Sequence, residues 1–157
     1  MYNIVLFEPE IPTNTGNIMR LCVNIGCKLH LIEPLGFTLD DKSLRRAGLD
    51  YKEKSVVSTY ENFDEYQAYL GSLVEKDRGR IFLCSTKATT IYSDAKFEAN
   101  DSLIFGPETR GLPKNMLDAH HESQKIKIPM REKIDGNDFA ILELDRPNFL
   151  IICLVDS

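Results

Sequence analysis

The sequence has few cysteines, and they are not spaced as metal ligands usually are. The four cysteines are Cys22, Cys27, Cys84 and Cys153, and no two of them form a CxxC pair. Each lies inside an apolar segment, where a free thiol behaves as a small buried hydrophobe. Disulfides are also rare in a reducing cytoplasm. We therefore expect buried free thiols, and neither a disulfide framework nor a cysteine metal site.

Histidine is also scarce, with three residues in the whole chain. His120 and His121 are adjacent, so on a helix or a strand their side chains point in different directions. His30 stands alone in an apolar run. These positions give no signature of a histidine metal site, and we expect that the protein uses no metal.

Long apolar runs are absent as well. The longest, residues 149–155, is much shorter than the ~20 residues that a membrane-spanning helix needs, so we expect no membrane span. That run is typical of a buried strand or of an aggregation-prone segment. The chain enters a strand-like run within three residues of its first methionine, which predicts no secretory signal and a cytoplasmic protein.

The charge balance is acidic. A net charge of −5 argues against non-specific binding of a polyanion by the whole surface. A local cluster of cations nevertheless occurs at Lys42, Arg45, Arg46, Lys52 and Lys54. This cluster is either a solvated face or a contact for phosphate groups.

Apolar runs alternate with helical patterns along the chain. The pattern is typical of βαβ units and predicts an α/β fold with a mainly parallel sheet flanked by helices. With 157 residues, 43% of them hydrophobic, the chain is predicted to form a single domain over residues 1–157. The predicted strands are residues 4–7, 29–32, 56–59, 81–85, 102–105 and 126–130.

Capping residues and glycines set the predicted helices. The first begins at a cap formed by Asn14 or Thr15, runs to Asn24 and ends at Gly26. One of its faces carries Ile18, Cys22 and Ile25, and another carries Asn17, Arg20 and Asn24. Further helices are predicted over residues 40–46, after a cap at Asn62, and over residues 112–117.

Three unusual segments follow predicted strands, namely residues 8–16, 86–87 and 106–111. In open α/β sheets, ligands bind outside the carboxyl ends of the strands. The glycine-containing segment 106–111 is no phosphate-binding P-loop, because Leu112 and Pro113 replace the required lysine and hydroxyl residue. It is either a ligand-binding loop or a turn that exposes a glutamate and an arginine. Arg20 is likewise either a functional residue or an exposed arginine that pairs with Glu8 or Glu10.

Several of these segments together resemble the SPOUT superfamily of RNA 2′-O-methyltransferases, most closely its small enzymes that modify the wobble nucleotide of tRNA. The resemblance covers residues 1–130 and is weak over residues 52–79. The segments that carry it are residues 3–12, 14–18, 20–22, 29–37, 44–51, 105–113 and 124–130.

The resemblance implies that the C-terminal part of the fold is threaded into a trefoil knot, an exception to the rule against threaded chains. It also implies a cytoplasmic homodimer that binds S-adenosylmethionine in the knot. The methyl group would pass to the ribose 2′-hydroxyl of nucleotide 34, a cytidine or modified uridine, in leucine tRNAs.

The family's site residues carry over onto matching positions. The resemblance makes Arg20 the catalytic residue, acting on the acceptor hydroxyl. It implies cofactor contacts at a second group of residues: Cys84, Gly106, Glu108, Gly111 and Ile128. It implies RNA contacts at a third: Asn14, Arg45, Arg46 and Arg110.

After Met130 the sequence departs abruptly from the family, which continues with a serine- and asparagine-rich motif that closes the cofactor pocket and a long helix that forms the dimer interface. Residues 131–157 contain no such motif, and Pro147 interrupts any long helix. The abrupt change is typical of a shifted reading frame or a rearranged gene end. The hypotheses are therefore an active or impaired methyltransferase, a tRNA-binding or dimerising protein that keeps the fold without catalysis, and a methylase of another RNA.

Overall fold

A computed structural model describes residues 1–39 and 56–129, together with the backbone of two strands further along the chain. The strands of the first two ranges are β1 (Asn3–Phe7), β2 (Lys28–Ile32), β3 (Val57–Tyr60), β4 (Ile81–Cys84), β5 (Thr90–Ile91), β6 (Ser102–Phe105) and β7 (Lys125–Lys127). The α-helices there are α1 (Pro12–Ile25), α2 (Phe63–Ser72) and α3 (Lys114–Asp118).

These strands form one parallel sheet in the order β3-β2-β1-β6-β4-β7-β5. Strand β1 lies between β2 and β6, with Ile4 aligned to Leu29 on one side and to Leu103 on the other. Since all the pairings in this sheet are parallel, the carboxyl ends of neighbouring strands meet at one edge. The predicted α/β fold with a parallel sheet is confirmed.

Both faces of the sheet are covered, which explains its nearly continuous apolar strands. Side chains alternate between the faces, so Ile4 and Leu6 pack with Met19 and Cys22 of α1. Val5 and Phe7 face the opposite side, where helices α2 and α3 contribute another set of apolar side chains: Tyr66, Leu70 and Met116. Cys22 and Cys27 are buried, as predicted, whereas Cys84 is half-buried. Burial raises the pKa of Cys27.

Helix α1 begins at Pro12, two or three residues before the predicted cap at Asn14 or Thr15. Pro12 occupies its first turn and Ile11 is the N-cap residue; proline is well suited to this position because its missing N–H would have no partner inside the helix. The predicted end is confirmed, since Gly26 closes the helix in the left-handed conformation with φ 71°. Asn17, Arg20 and Asn24 are exposed on one side.

The predicted cap of α2 is also confirmed, because Asn62 accepts a hydrogen bond from the backbone N–H of Glu65 at 2.9 Å. Helix α3 starts after Pro113, two residues later than predicted. The short edge strand β5 was not predicted.

The backbone beyond residue 129 is described for strands β8 (Asp138–Leu144) and β9 (Phe149–Val155), which pair antiparallel. Residues 149–155 therefore form a strand, as one of the two interpretations of this run predicted. The predicted helix over residues 40–46 and much of the segment that would form the knot lie outside the described residues. No helix within the described ranges is long and apolar enough to cross a membrane.

Candidate active site

A cavity of about 380 Å³ lies where β1, β4 and β6 end. It is lined by the segments that follow β4 and β6 and by the first turns of α1. This is the edge at which the sequence predicted a ligand site. The predicted site residues that line it are Asn14, Cys84, Gly106, Glu108, Arg110, Gly111 and Ile128.

The backbone conformation of the 106–111 loop requires glycine at both Gly106 and Gly111. A Cβ atom on Gly106 would lie 2.3 Å from the backbone nitrogen of Leu112 and 2.4 Å from the carbonyl carbon of Gly111. Gly111 has φ +66°, a conformation that side-chain-bearing residues rarely adopt. Gly106 lines the cavity, and the absence of its side chain leaves the space in which the loop closes on itself.

Three consecutive residues of this loop hold the segment that precedes α1. The Glu108 carboxylate accepts hydrogen bonds from the backbone N–H groups of Glu10 at 2.8 Å and Ile11 at 3.3 Å. The Glu10 carboxylate in turn accepts from the Thr109 hydroxyl at 2.6 Å and from the Thr109 N–H at 3.2 Å. These reciprocal bonds join positions that are 97 to 99 residues apart.

Arg110 adds ion pairs to the same contact. Its guanidinium donates to Glu8 and lies 3.5 Å from a carboxylate oxygen of Glu10. The Thr109 hydrogen bonds, followed by the charge of Arg110, lower the pKa of Glu10. The hydrogen bond to Glu8 and the two carboxylate charges raise the pKa of Arg110. The two glutamates that we considered as partners of Arg20 thus pair with Arg110.

Helix α1 carries the polar side chains of Asn14, Asn17 and Arg20. Asn14 and Asn17 line the cavity, and Arg20 is exposed farther along the helix, outside the cavity lining. Thr15, Met19 and Cys22 are buried on the other side and hold the helix against the sheet. The predicted catalytic arginine therefore lies on a helix whose first turns line the cavity, while Arg45 and Arg46 lie outside the described residues.

The segment after Cys84 includes residues 86–87, which the sequence placed among the three segments expected near a ligand. Ser85, Thr86 and Lys87 line the cavity, and the Ser85 hydroxyl accepts from the Lys87 N–H at 3.2 Å in a tight turn. Their position at the carboxyl end of β4 is the feature that pointed to residues 86–87 in the sequence, although no role was assigned to Ser85, Thr86 or Lys87. Asn17 was grouped with Arg20 on one helix face but was not assigned to the site.

The chemistry available here follows from the lining. The volume lies within the ~300–1,000 Å³ typical of small-molecule pockets. Apolar side chains such as Leu6, Ile18 and Phe105 share the cavity with polar groups and backbone, which suits a ligand with an aromatic base and polar substituents. Among the described residues, no group of three His, Cys, Asp or Glu side chains is placed to hold a metal ion.

Comparison with known proteins identifies relatives over most of the chain. The model of the SpoU rRNA Methylase family matches residues 1–136. The chain is 58% identical over 133 residues to a tRNA (cytidine(34)-2′-O)-methyltransferase of Yersinia pestis, covering 83% of this chain and 80% of that protein.

Solved structures have the same architecture. A structure described as giving insights into the 2-OH methylation of C/U34 on tRNA is 36% identical, with a TM-score of 0.72 over 85% of this chain and 83% of that one. The SpoU methyltransferase AviRb from Streptomyces viridochromogenes, in complex with AdoMet, shares the fold at 20% identity, with a TM-score of 0.64 over 82% of this chain and 48% of that one.

Proposed function

Because the chain belongs to the SpoU rRNA Methylase family, we propose that it transfers a methyl group from S-adenosylmethionine to a ribose 2′-hydroxyl of tRNA. The acceptor is the wobble nucleotide 34, a cytidine or a modified uridine. The observation that carries the proposal is the meeting of the motif residues Cys84, Gly106 and Ile128 at one cavity. The 58% identity to an enzyme named for cytidine 34 of tRNA supports this nucleotide.

The residues around the cavity fit the cofactor. Backbone groups at Cys84, Gly106 and Ile128 would hold it, with Gly111 and Glu108 shaping the loop between β6 and α3. Apolar side chains beside them suit an adenine ring, and backbone N–H and C=O groups suit its polar edge. When bound, S-adenosylmethionine supplies an electrophilic methyl group on a sulfonium sulfur.

Arg20 serves the acceptor side of the reaction. A guanidinium is almost never deprotonated in water, so it is a poor general base. It can instead orient the ribose or its phosphate and stabilise the negative charge that develops on the 2′-oxygen. Its exposure on α1, outside the cavity lining, is what an RNA-facing residue requires.

The remaining parts of the proposal concern RNA and assembly. Asn14 and Arg110 contact the RNA at the cavity rim, and Arg45 and Arg46 bind its phosphates. The protein acts in the cytoplasm on leucine tRNAs, as a homodimer of one-domain subunits spanning residues 1–157. The acidic net charge of −5 supports localised RNA contacts over a generally basic surface.

The substitution Arg20→Ala tests the proposal. We expect turnover to fall by about 100-fold or more, as for the loss of a group that stabilises the transition state, while cofactor affinity stays within about threefold because the residue lies outside the cavity lining. Methyl incorporation into tRNA measures turnover, and resistance of the bond after nucleotide 34 to alkali identifies the 2′-position.

The matched control is Arg78→Ala, the same change at an exposed arginine that bonds to the end of α2. It should leave turnover unchanged. Wild-type turnover in Arg20→Ala would remove Arg20 from the mechanism. Equal methylation of ribosomal RNA and tRNA would overturn the choice of substrate.

A further inference from the structure

Helix α1 has no capping side chain of its own. Its N-cap residue is Ile11, no side chain there bonds to the first turn, and the first turn contains no acidic residue. The N-terminal N–H groups of a helix need acceptors, and the positive end of its dipole favours a negative charge. For a helix of 14 residues, both needs must be met from elsewhere in the molecule.

Glu108, in the opposite loop, supplies a negative charge at this end and accepts hydrogen bonds from the N-cap residue and from the residue before it. One of its carboxylate oxygens accepts from the Glu10 N–H at 2.8 Å and the other from the Ile11 N–H at 3.3 Å. The bonds are partly buried, which strengthens them relative to bonds in water. Both oxygens of Glu108 are thus directed at the start of α1.

The contact is reciprocal. Glu10 accepts two hydrogen bonds from Thr109, and Arg110 pairs with Glu8 and Glu10. The start of α1 and the loop that lines the cavity are consequently joined by several bonds in both directions. A displacement of one would require a displacement of the other.

This coupling reaches Arg20. The helix rises about 1.5 Å per residue, which places Arg20 about 14 Å from Ile11 along the axis. A tilt of about 10° at the start would move Arg20 by about 2 Å, and displacements near 1 Å can cost about 100-fold in rate. The orientation of α1 therefore controls where the guanidinium lies relative to the cavity.

We propose that Glu108 is a positioning residue: it caps α1 in trans and fixes the helix that bears Arg20 relative to the loop that lines the cofactor cavity. The proposal rests on the proposed role of Arg20. The competing assignment is that Glu108, which also lines the cavity, binds the cofactor directly.

The first test is Glu108→Gln, which keeps the shape but leaves one acceptor oxygen for two N–H groups. We expect kcat to fall by about 10- to 100-fold, while the dissociation constant for S-adenosylmethionine, measured by calorimetry, stays within about threefold. Amide hydrogen exchange at Glu10 and Ile11 should accelerate by at least about tenfold. Glu122→Gln is the matched control, since Glu122 is exposed and hydrogen-bonded outside the cavity, and it should change none of these quantities.

The second variant leaves the cavity lining untouched. Glu10→Ala removes the reciprocal bonds to Thr109 and Arg110, and Glu10 does not line the cavity. We expect kcat to fall by about 3- to 10-fold with unchanged cofactor affinity. This variant tests the coupling even if Glu108→Gln does not fold.

A double variant separates the proposals. In the Arg20→Ala background, Glu108→Gln should lower the residual rate by less than about twofold, because its effect passes through Arg20. Multiplicative losses, unchanged exchange at Glu10 and Ile11, or a tenfold loss of cofactor affinity with normal kcat would each overturn the positioning role. Wild-type turnover in Arg20→Ala alone would overturn the role of Arg20, whereas the exchange rates would still decide whether Glu108 caps α1.

Discussion

His30 lies in a chain of hydrogen bonds that fixes its protonation. Asn3 donates from Nδ2 to the Asn100 carbonyl at 2.7 Å, so its Oδ1 faces His30 Nε2 at 3.1 Å. Because Oδ1 can only accept, Nε2 carries the proton, and Nδ1 accepts from the Tyr60 hydroxyl at 2.9 Å. Burial, with a smaller contribution from Lys28, lowers the pKa of His30 from 6.5 to about 4.

This lowered pKa makes folding stability depend on pH. Between pH 6.5 and about 4, the unfolded chain binds a proton at His30 that the folded protein does not, so acidification favours unfolding. The free energy of unfolding should fall by about 3 kcal/mol across this window, at about 1.4 kcal/mol per pH unit. Urea denaturation at several pH values measures the fall.

The control for this prediction is His30→Gln, whose amide can donate to Asn3 and accept from Tyr60 without titrating. All other titratable groups are the same in the original protein and in His30→Gln. The difference between their two profiles of unfolding free energy against pH therefore reports on His30 alone. Parallel profiles would show that His30 has the same pKa in the folded and the unfolded protein.

At the scale of helices and strands, the sequence predicted correctly those features that depend on residues close together in the chain. The apolar run at β1 and the Asn62 cap of α2 are both visible in a few consecutive residues, and both are confirmed. The start of α1 was placed too late because Asn14 and Thr15 are common capping residues, whereas the acceptor for the N–H of the actual N-cap residue, Ile11, comes from Glu108. A partner 97 or 98 positions away leaves no mark in the local sequence.

The same distinction applies to the cavity. The carboxyl ends of predicted parallel strands, together with the family motif, were sufficient to select Cys84, Gly106 and Ile128. The physical reason for glycine at position 106 was not accessible, because it depends on how Gly111 and Leu112 fold back onto it. The turn after Cys84 carries no motif, so the sequence selected residues 86–87 only because they follow a strand; in the structure, β4 lies between β6 and β7.

Two glycines allow a matched test of this loop. Gly106→Ala forces a methyl group against the backbone of Leu112, 2.3 Å away, and should lower the free energy of unfolding by about 1–3 kcal/mol and reduce cofactor affinity. Gly71→Ala makes the same chemical change in α2, where nothing lies within 4 Å. It should be neutral or stabilise the protein by up to about 1 kcal/mol.

Chemical denaturation and calorimetric titration with S-adenosylmethionine provide both readouts. Equal stability and equal cofactor affinity in the two variants would mean that the loop can rearrange around a side chain at position 106.

At the scale of the whole molecule, the C-terminal residues set this chain apart. The match to the Yersinia pestis enzyme extends over 133 residues, and two antiparallel strands follow, where the SPOUT resemblance implies a long interface helix. We expect the chain to bind S-adenosylmethionine weakly and to transfer methyl slowly. Replacing residues 131–157 with the corresponding segment of that enzyme should raise methyl incorporation into leucine tRNA by about tenfold or more.

The graft combined with Arg20→Ala is the control, and it should stay inactive. Gel filtration of the native and grafted chains reports in parallel whether the dimer depends on this segment. Full activity of the ungrafted chain would show that residues 131–157 complete the site as they stand.

The neighbours of β1 have a consequence for how the chain folds during synthesis. Strand β2 follows β1 closely, but β6, on its other side, ends at Phe105. At about 5–20 residues per second, a ribosome needs several seconds more to deliver β6 than to deliver β2. During that interval the free edge of β1 is an apolar strand without a partner, which is the kind of surface that chaperones bind and that aggregates form on. The nascent chain is therefore most vulnerable before Glu108 leaves the ribosome, and slower translation of its first hundred residues would lengthen that exposure.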